Sequence, residues 1–415
     1  MALIVQKYGG TSVADATRIK AVAGRVLGTQ QAGNQVVVVV SARGGMTDEL
    51  IALANEISAS PPSRELDILL ATGEQQSIAL LAMALHEMGG AVVSLTGVQA
   101  GILTDSVYGK ARIRGIRPDR VRQELEQGRI VIVAGFQGAD EHDNITTLGR
   151  GGSDTTAVAV AVAIEADVCE IYTDVDGVYT ADPRLVPNAR KLERISHEEM
   201  LELASLGAGV LQSRSVEFAK KYAMPLSVRS SFTDDAGTTV CEETQAMEDM
   251  EGVTIRGAAF NKNESKVTIV GVPDQPGVAA KLFGALAKDH INVDMIVQNI
   301  SHDARTDMSF TVAHADLKAA VATCEGLLGD LGAAEVIGDG SIAKVSIVGV
   351  GMRSHFGIAS TMFQALAEAG INIQMISTSE IKVSVVVGAE QGEEALRVVH
   401  DAFNLGDEPD IVEEA

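Results

Sequence analysis

Tryptophan is absent from this sequence, and aromatic residues make up only 3% of its 415 positions. The cores must therefore be built from Val, Ala, Leu and Ile, the mix expected of buried parallel strands and close-packed helices, which points to an α/β architecture. Cysteine is nearly missing too. Cys169, Cys241 and Cys324 are odd in number, far apart and never in a CxxC pair, so neither a disulfide framework nor a zinc site is indicated, and a reduced, cytoplasmic setting is expected. Basic charge is in deficit: 33 Lys and Arg face 56 Asp and Glu, a formal net charge of -23. That excludes a broad grip on nucleic acid or an anionic membrane, while leaving room for a local basic pocket. No apolar run approaches the ~20 residues a membrane helix needs, and the chain opens on the strand-like ALIVQ without a basic n-region, so neither secretion nor membrane spanning is expected. Also lacking are G-x-x-x-x-G-K-[ST] and a G-x-G-x-x-G after a strand, which removes Walker and dinucleotide-binding chemistry.

What is present is a series of Gly-rich turns at strand ends. Leu148 to Ala157 reads LGRGGSDTTA and leads into the small apolar run AVAVAVA. Gly149, Gly151 and Gly152 let the backbone turn tightly, and Ser153 or Asp154 stands where an N-cap would open a helix that attracts anions. Arg150 adds a guanidinium fork suited to a carboxylate or phosphate. An ordinary capped loop fits the same residues. Ala2 to Gln6 reads as a buried strand ending in Lys7-Tyr8-Gly9-Gly10-Thr11-Ser12, which places a lysine at the carboxyl end of a strand, where open α/β sheets bind ligands. Gln35 to Val40 is a second strand, running into SARGGMTD. Ile68 to Leu85 reads as a helix with Glu74 early in it, Ile130 to Ala134 as a strand ending in Gly-Phe-Gln-Gly, and Val168 to Tyr172 as another. The acids that follow, in TDVDGVYTADPR, do not form a calcium loop, because D-x-D-x-D-G and a Glu at the twelfth position are missing. A nucleotide loop suits them better: Tyr179 to stack on a base, Arg184 to reach phosphates and Asp174 to accept from ribose or base.

Taken in order, KYGGTSV, SARGGMTD, ATGE, TTLGRGGSDTTA and YTDVDGVYTADPR closely resemble the aspartokinases, which belong to the amino-acid kinase family. The resemblance implies a three-layer sandwich on a mainly parallel sheet, followed by regulatory domains. It implies that Lys7 and Asp154 are catalytic, and that Ser41, Thr47, Glu74, Arg150, Gly151 and Ser153 bind an aspartate substrate. It also assigns Lys7, Tyr8, Gly9, Gly10, Thr173, Asp174, Tyr179 and Arg184 to ATP, with Mg²⁺ as the accompanying ion and its ligands unassigned. The chemistry agrees with such roles. A side-chain carboxylate with a reference pKa of about 3.9 is ionised near neutrality and needs no general base, so the obstacle is anion meeting anion. Catalysis should consist of in-line positioning and neutralisation of the γ-phosphoryl group by Lys7 and the Gly9 and Gly10 amides, with Asp154 orienting Lys7. One departure is visible at Gly209, where the family usually has a lysine associated with ATP, so one nucleotide contact is expected to be missing.

Beyond a polar, acidic stretch from Ser230 to Met250 the chain repeats itself. VTIVGVPDQPGVAAKLFGALAKDHINVDMI (Val267 to Ile296) aligns with VSIVGVGMRSHFGIASTMFQALAEAGINIQMI (Val345 to Ile376), each reading strand, loop, helix, strand. The copies resemble ACT domains of the ferredoxin-like α+β type, which bind amino-acid effectors between paired units. The expected domains are 1–245, 246–340 and 341–415. The implied effector residues are Asp274, Gln275, Gly277, Ala279, Asn292, Asp294 and Gln298 from the first copy, completed by Asn372 and Gln374 from the second. The expected function is ATP-dependent phosphorylation of L-aspartate, regulated by lysine, threonine or both, in a homo-oligomer joined through the ACT copies. Two rivals stay in view. A kinase acting on glutamate or acetylglutamate is disfavoured by Glu74, Arg150 and the duplicated tail; a catalytically silent amino-acid sensor is favoured only by Gly209 and opposed by the presence of Lys7 and Asp154.

Overall fold

The computed structural model describes residues 1–207, 210–242, 254–298, 305–350, 352 and 355–406. These fall into two compact units, the first holding residues 1–178, 191–205 and 210–242, the second holding 179–190, 206–207 and the described residues from 254 onward.

In the first unit the strands follow as β1 (Leu3–Tyr8), β2 (Gln35–Val40), β3 (Val92–Leu95), β4 (Ile102–Thr104), β5 (Ile113–Ile116), β6 (Ile130–Ala134), β7 (Gln137–Ala139) and β8 (Ile145–Thr147). After them come β9 (Val168–Thr173), β10 (Arg194–Ser196), β11 (Leu226–Ser230) and β12 (Thr238–Cys241). Eight form one sheet in the order β10-β12-β11-β9-β1-β2-β6-β3, parallel except between β11 and β12. The valine run of β2 is buried on both faces, as a central parallel strand requires. The first strand lies in the middle, with β2, β6 and β3 on one side and β9, β11, β12 and β10 on the other, so the carboxyl ends of β1, β2, β6 and β9 surround a topological switch point.

Helices α1 (Ala16–Gln31) and α3 (Ser63–Glu87) cover one face, joined to Val36, Val38, Val40, Ile130 and Ile132 in a single apolar core. On the other face α5 (Gly152–Ile164), almost wholly buried, packs against β1, β2 and β9. The remaining helices are α2 (Met46–Ile57), α4 (Asp119–Glu126), α6 (His197–Ser205) and α7 (Ser213–Lys221). The three-layer α/β sandwich is therefore present. One expectation needs correcting. The helix read from Ile68 begins at Ser63 and runs 25 residues, and it is long and apolar enough to cross a membrane by composition. Its buried face carries Asp67, Glu74 and Ser77 and packs on α1, β3, β6 and β8, which makes it a core helix of this unit.

The second unit contains two four-stranded antiparallel sheets. One has the order β15 (Val293–Gln298), β16 (Arg305–Ala313), β14 (Glu264–Pro273), β17 (Glu335–Asp339); the other has β13 (Thr254–Asn261), β18 (Ile342–Val350), β20 (Lys382–Gly388), β19 (Met375–Thr378). Each carries two helices: α8 (Val278–Lys288) and α9 (Leu317–Leu331) on the first, α10 (Ile358–Glu368) and α11 (Gly392–Ala402) on the second. Here the contiguous boundaries 246–340 and 341–415 are corrected. β13 precedes the first copy in the chain yet pairs with β18 of the second, occupying the edge that β17 fills beside β14.

The boundary at 245 is corrected as well, because residues 179–190 belong to the second unit. Ala181 and Val186 are buried in one core with Val345, Ile347, Leu396 and Val399. The Ala258 amide donates to Thr180 O at 2.7 Å, Thr180 Oγ1 meets Nε2 of buried His400 at 3.0 Å, and Arg397 donates to Leu185 O.

Candidate active site

The site grows from the ends of four strands. Lys7 lies within β1 rather than after it, and because successive strand residues point to opposite faces, it faces α5 while Tyr8 faces α1 and α3. Nζ of Lys7 pairs with Oδ1 of Asp154 at 2.5 Å, each side chain only about a tenth exposed. Tyr8 is fully buried, stacked on Tyr172 at 4.7 Å, with its hydroxyl donating to Gln6. Its ring therefore belongs to the core. The Gly9 amide donates to Tyr172 O at 3.3 Å. Gly10 is needed for close packing, since a Cβ there would stand 2.8 Å from Ala42 O.

Ser41 and Ala42 follow β2, and Thr47 sits in the first turn of α2, where Gly45 takes the left-handed conformation (φ 83°). Glu74 comes to this loop from α3. One of its oxygens accepts from the Ala42 amide at 3.0 Å, while Oε2 is buried without a hydrogen-bond partner. The residue is 3% exposed, and burial, opposed by its amide hydrogen bonds, pushes its carboxyl from 4.5 up to about 7. A buried carboxylate oxygen lacking a donor is costly, and a cationic ligand group would relieve that cost.

The LGRGGSD turn differs from expectation at its cap. Neither Ser153 nor Asp154 is the N-cap; Gly151 is, in the left-handed conformation (φ 71°), and no side chain caps α5. Both positions admit only glycine on steric grounds: a Cβ on Gly151 would fall 2.0 Å from Gln212 Cγ, and one on Gly152 2.9 Å from Leu148 Cβ and Phe136 Cδ2. Ser153 and Asp154 thus lie inside the first turn, both 8% exposed, with Asp154 turned to Lys7. Arg150 stands exposed between two left-handed glycines, Gly149 and Gly151.

Two residues that sequence reasoning missed hold this turn in place. Asp67, 1% exposed on α3, accepts from the Thr147 amide at 2.7 Å, the Thr147 hydroxyl at 2.8 Å and the Gly109 amide at 3.0 Å. Arg214 donates to Leu148 O and Ala111 O, each at 2.9 Å. The available signal for Asp67 was an acid seven residues before Glu74, on the same face of an otherwise apolar helix.

Thr173 and Asp174 lie at the end of β9, joined by a hydroxyl-to-carboxylate bond of 3.1 Å. Tyr179 and Arg184 are in the second unit, where Arg184 forks onto Asp182 at 2.7–3.2 Å. Gly209 lies outside the described residues. In the second unit Asp274, Gln275 and Gly277 are exposed between β14 and α8, Gly277 at φ 96°, and Ala279 is half-buried behind them. Asn292 precedes β15, on which Asp294 and Gln298 share the exposed face with Ile296. Asp294 and Glu264 both pair with Lys344 of the second copy, and Gln374 accepts from Lys266, while Asn372 is exposed. Lys344 is another buried residue that sequence reasoning missed; a lysine within the apolar strand IAKVSIVGV was its signal.

Among the described residues no cluster of three His, Cys, Asp or Glu could hold a metal by itself. An ion of the magnesium type is commonly held by one or two carboxylates together with substrate phosphates, so it needs no cluster of three protein ligands.

Comparison with known proteins matches this architecture. The profile of the amino acid kinase family covers residues 2–230, and that of the ACT domain covers 267–326 and 345–403. The chain belongs to the amino acid kinase family. It is 58% identical to the aspartate kinase of Pseudomonas putida over 405 residues, 98% of each chain. Among solved structures, Escherichia coli aspartokinase III in complex with aspartate and ADP, in its R-state, matches with a TM-score of 0.81 at 26% identity, covering 96% of this chain and 99% of that one. The same protein with lysine and aspartate, in its T-state, matches at 0.74 and 27% identity, covering 98% and 100%. Within the family the chain stands among the aspartokinases, an amino acid kinase domain carrying two C-terminal ACT copies.

Proposed function

We propose that this chain transfers the γ-phosphoryl group of ATP to the side-chain carboxylate of L-aspartate, forming 4-phospho-L-aspartate. The observation that carries the reading is Glu74, a buried carboxylate with an unpartnered oxygen, bonded to the loop after β2, the strand that pairs with β1 and so with the strand bearing Lys7. An α-ammonium group answers that oxygen. Arg150 takes the α-carboxylate through a two-pronged contact, which separates an amino acid from a plain dicarboxylate. Ser41, Thr47, Gly151 and Ser153 line the remainder of the substrate site. Lys7 neutralises the transferring group, and Asp154 holds the ammonium in place without removing a proton, because the attacking carboxylate is already ionised. Gly10, Thr173 and Asp174 face the nucleotide, and Mg²⁺, when bound, would supply charge neutralisation on the phosphates.

Lysine, threonine or both are the proposed effectors, bound at Asp274, Gln275, Gly277, Ala279, Asn292, Asp294, Gln298, Asn372 and Gln374 in a homo-oligomer joined through the ACT copies. The relative crystallised with lysine in a T-state supports this assignment. An effector inhibits only by binding the less active arrangement more tightly, with a coupling of roughly 1–3 kcal/mol. In the cytoplasm the product would open the biosynthesis of lysine, threonine and methionine. The test is ADP release with Mg-ATP and L-aspartate against D-aspartate and L-glutamate, each with and without lysine plus threonine. Turnover confined to L-aspartate and lowered by an effector is expected; effector binding without turnover would leave a sensor.

A further inference from the structure

We propose that Asp67 is a positioning residue for the substrate, setting the separation between Glu74 and Arg150. The inference rests on the reading in which those two side chains take the ammonium and α-carboxylate of one amino acid. Asp67 and Glu74 lie seven residues apart on α3, so they share a face and stand roughly 10 Å apart along the helix axis. Glu74 fixes the β2 loop through the Ala42 amide, and Gly73 beside it allows Ala42 to approach, since a Cβ there would stand 2.8 Å from Ala42 Cβ. Asp67 fixes the other end of the site. Its carboxylate gathers the Thr147 amide, the Thr147 hydroxyl and the Gly109 amide at 2.7–3.0 Å. One rigid helix therefore ties down both halves of the substrate clamp.

The backbone between Asp67 and Arg150 has little freedom. Thr147 O accepts from the Ala111 amide at 2.9 Å, the Leu148 amide donates to Phe136 O at 2.9 Å, and Leu148 O accepts from Arg214. The chain turns only after these anchors, at Gly149 (φ 76°) and Gly151 (φ 71°) on either side of Arg150. A displacement at Thr147 shifts the backbone that leads into Arg150, whose next anchors are the Gly152 amide donating to Gly149 O at 2.9 Å and the Thr155 amide donating to Gly151 O at 3.1 Å. All the donors to Asp67 are neutral, and charge-assisted bonds of this kind are shorter and stronger than those an amide side chain would make, so the charge serves to hold the position firmly.

The experiment measures kcat and KM for L-aspartate and for Mg-ATP in Asp67→Asn, Thr147→Val, Glu74→Gln and Arg150→Ala, and in Asp67→Asn combined with Arg150→Ala. Asp67→Asn should raise KM for aspartate about tenfold and leave KM for ATP within about twofold; Thr147→Val, which keeps the carboxylate and its amide donors, should raise it about threefold. In the Arg150→Ala background the further effect of Asp67→Asn should fall below about twofold, because the group it positions is gone. Additive effects, or equal rises in both KM values, would overturn the inference and leave Asp67 an ordinary loop anchor. If Asp67→Asn does not fold, Thr147→Val and its combination with Arg150→Ala carry the same test. A neutral Asp67→Asn alongside damaging Glu74→Gln and Arg150→Ala would refute the positioning role alone. Should Glu74→Gln and Arg150→Ala leave KM for aspartate unchanged, the clamp itself is refuted and the inference falls with it.

Discussion

Glu74 makes a pH-dependent prediction whose sign follows from its surroundings. Burial raises its carboxyl from 4.5 to about 7 in the free protein, so the charged form is disfavoured by roughly 3 kcal/mol. Because the folded value lies above the unfolded one, the cost to stability is absent below pH 4.5, grows as pH rises through the interval and is complete above about pH 7. A substrate ammonium against the unpartnered Oε2 favours ionisation, so aspartate binds the deprotonated enzyme and expels a proton below pH 7. With Mg-ATP saturating, kcat/KM for aspartate should rise about tenfold per pH unit below neutrality and level off above about pH 7, while kcat stays flat over the same interval. Calorimetry at pH 6 in buffers of differing ionisation enthalpy should detect release of about 0.9 proton on aspartate binding. Glu74→Gln should abolish the inflection and raise KM roughly 10- to 100-fold, the worth of a hydrogen bond to a charged group. A flat kcat/KM profile between pH 5.5 and 8.5 would refute the pairing of Glu74 with the substrate ammonium.

Lys7→Met should lower kcat by about 10²–10³ with KM for aspartate nearly unchanged, as expected for a donor used at the transferring group, and steady-state kinetics would check it. Gly10→Ala forces a Cβ to within 2.8 Å of Ala42 O; it should cost about 1–3 kcal/mol in thermal unfolding and reduce turnover by moving the loop that carries Ser41 and Thr47. Lys344→Met leaves Glu264, 7% exposed, without its cation, and should destabilise the second unit by roughly 3–5 kcal/mol in urea unfolding; adding Glu264→Gln should recover much of the loss. Although burial alone depresses the Lys344 ammonium, Glu264 and Asp294 outweigh it and raise its pKa above 10.5. The stability it contributes is therefore present below pH 10.5 and lost as pH rises beyond the raised value.

The sequence by itself determined the parts whose signals are local. Parallel strands such as the valine run of β2 declare themselves by composition, the tail by its self-similarity, and the motifs around Lys7, Glu74 and Arg150–Asp154 by their order along the chain. Tertiary structure decided whatever depends on groups distant in sequence. Asp67 and Thr147 are 80 residues apart, and nothing in either neighbourhood announces the other. Alternation along β1 sent Tyr8 into the core and left Lys7 to meet Asp154. Crowding by Gln212 leaves room only for glycine at the helix cap, Gly151, and edge pairing carried β13 across to the second ACT sheet. Glu74 shows the division most sharply: its identity and place on a helix are written in the chain, while its displaced pKa exists only because folding removes water from one carboxylate oxygen and provides that atom no donor.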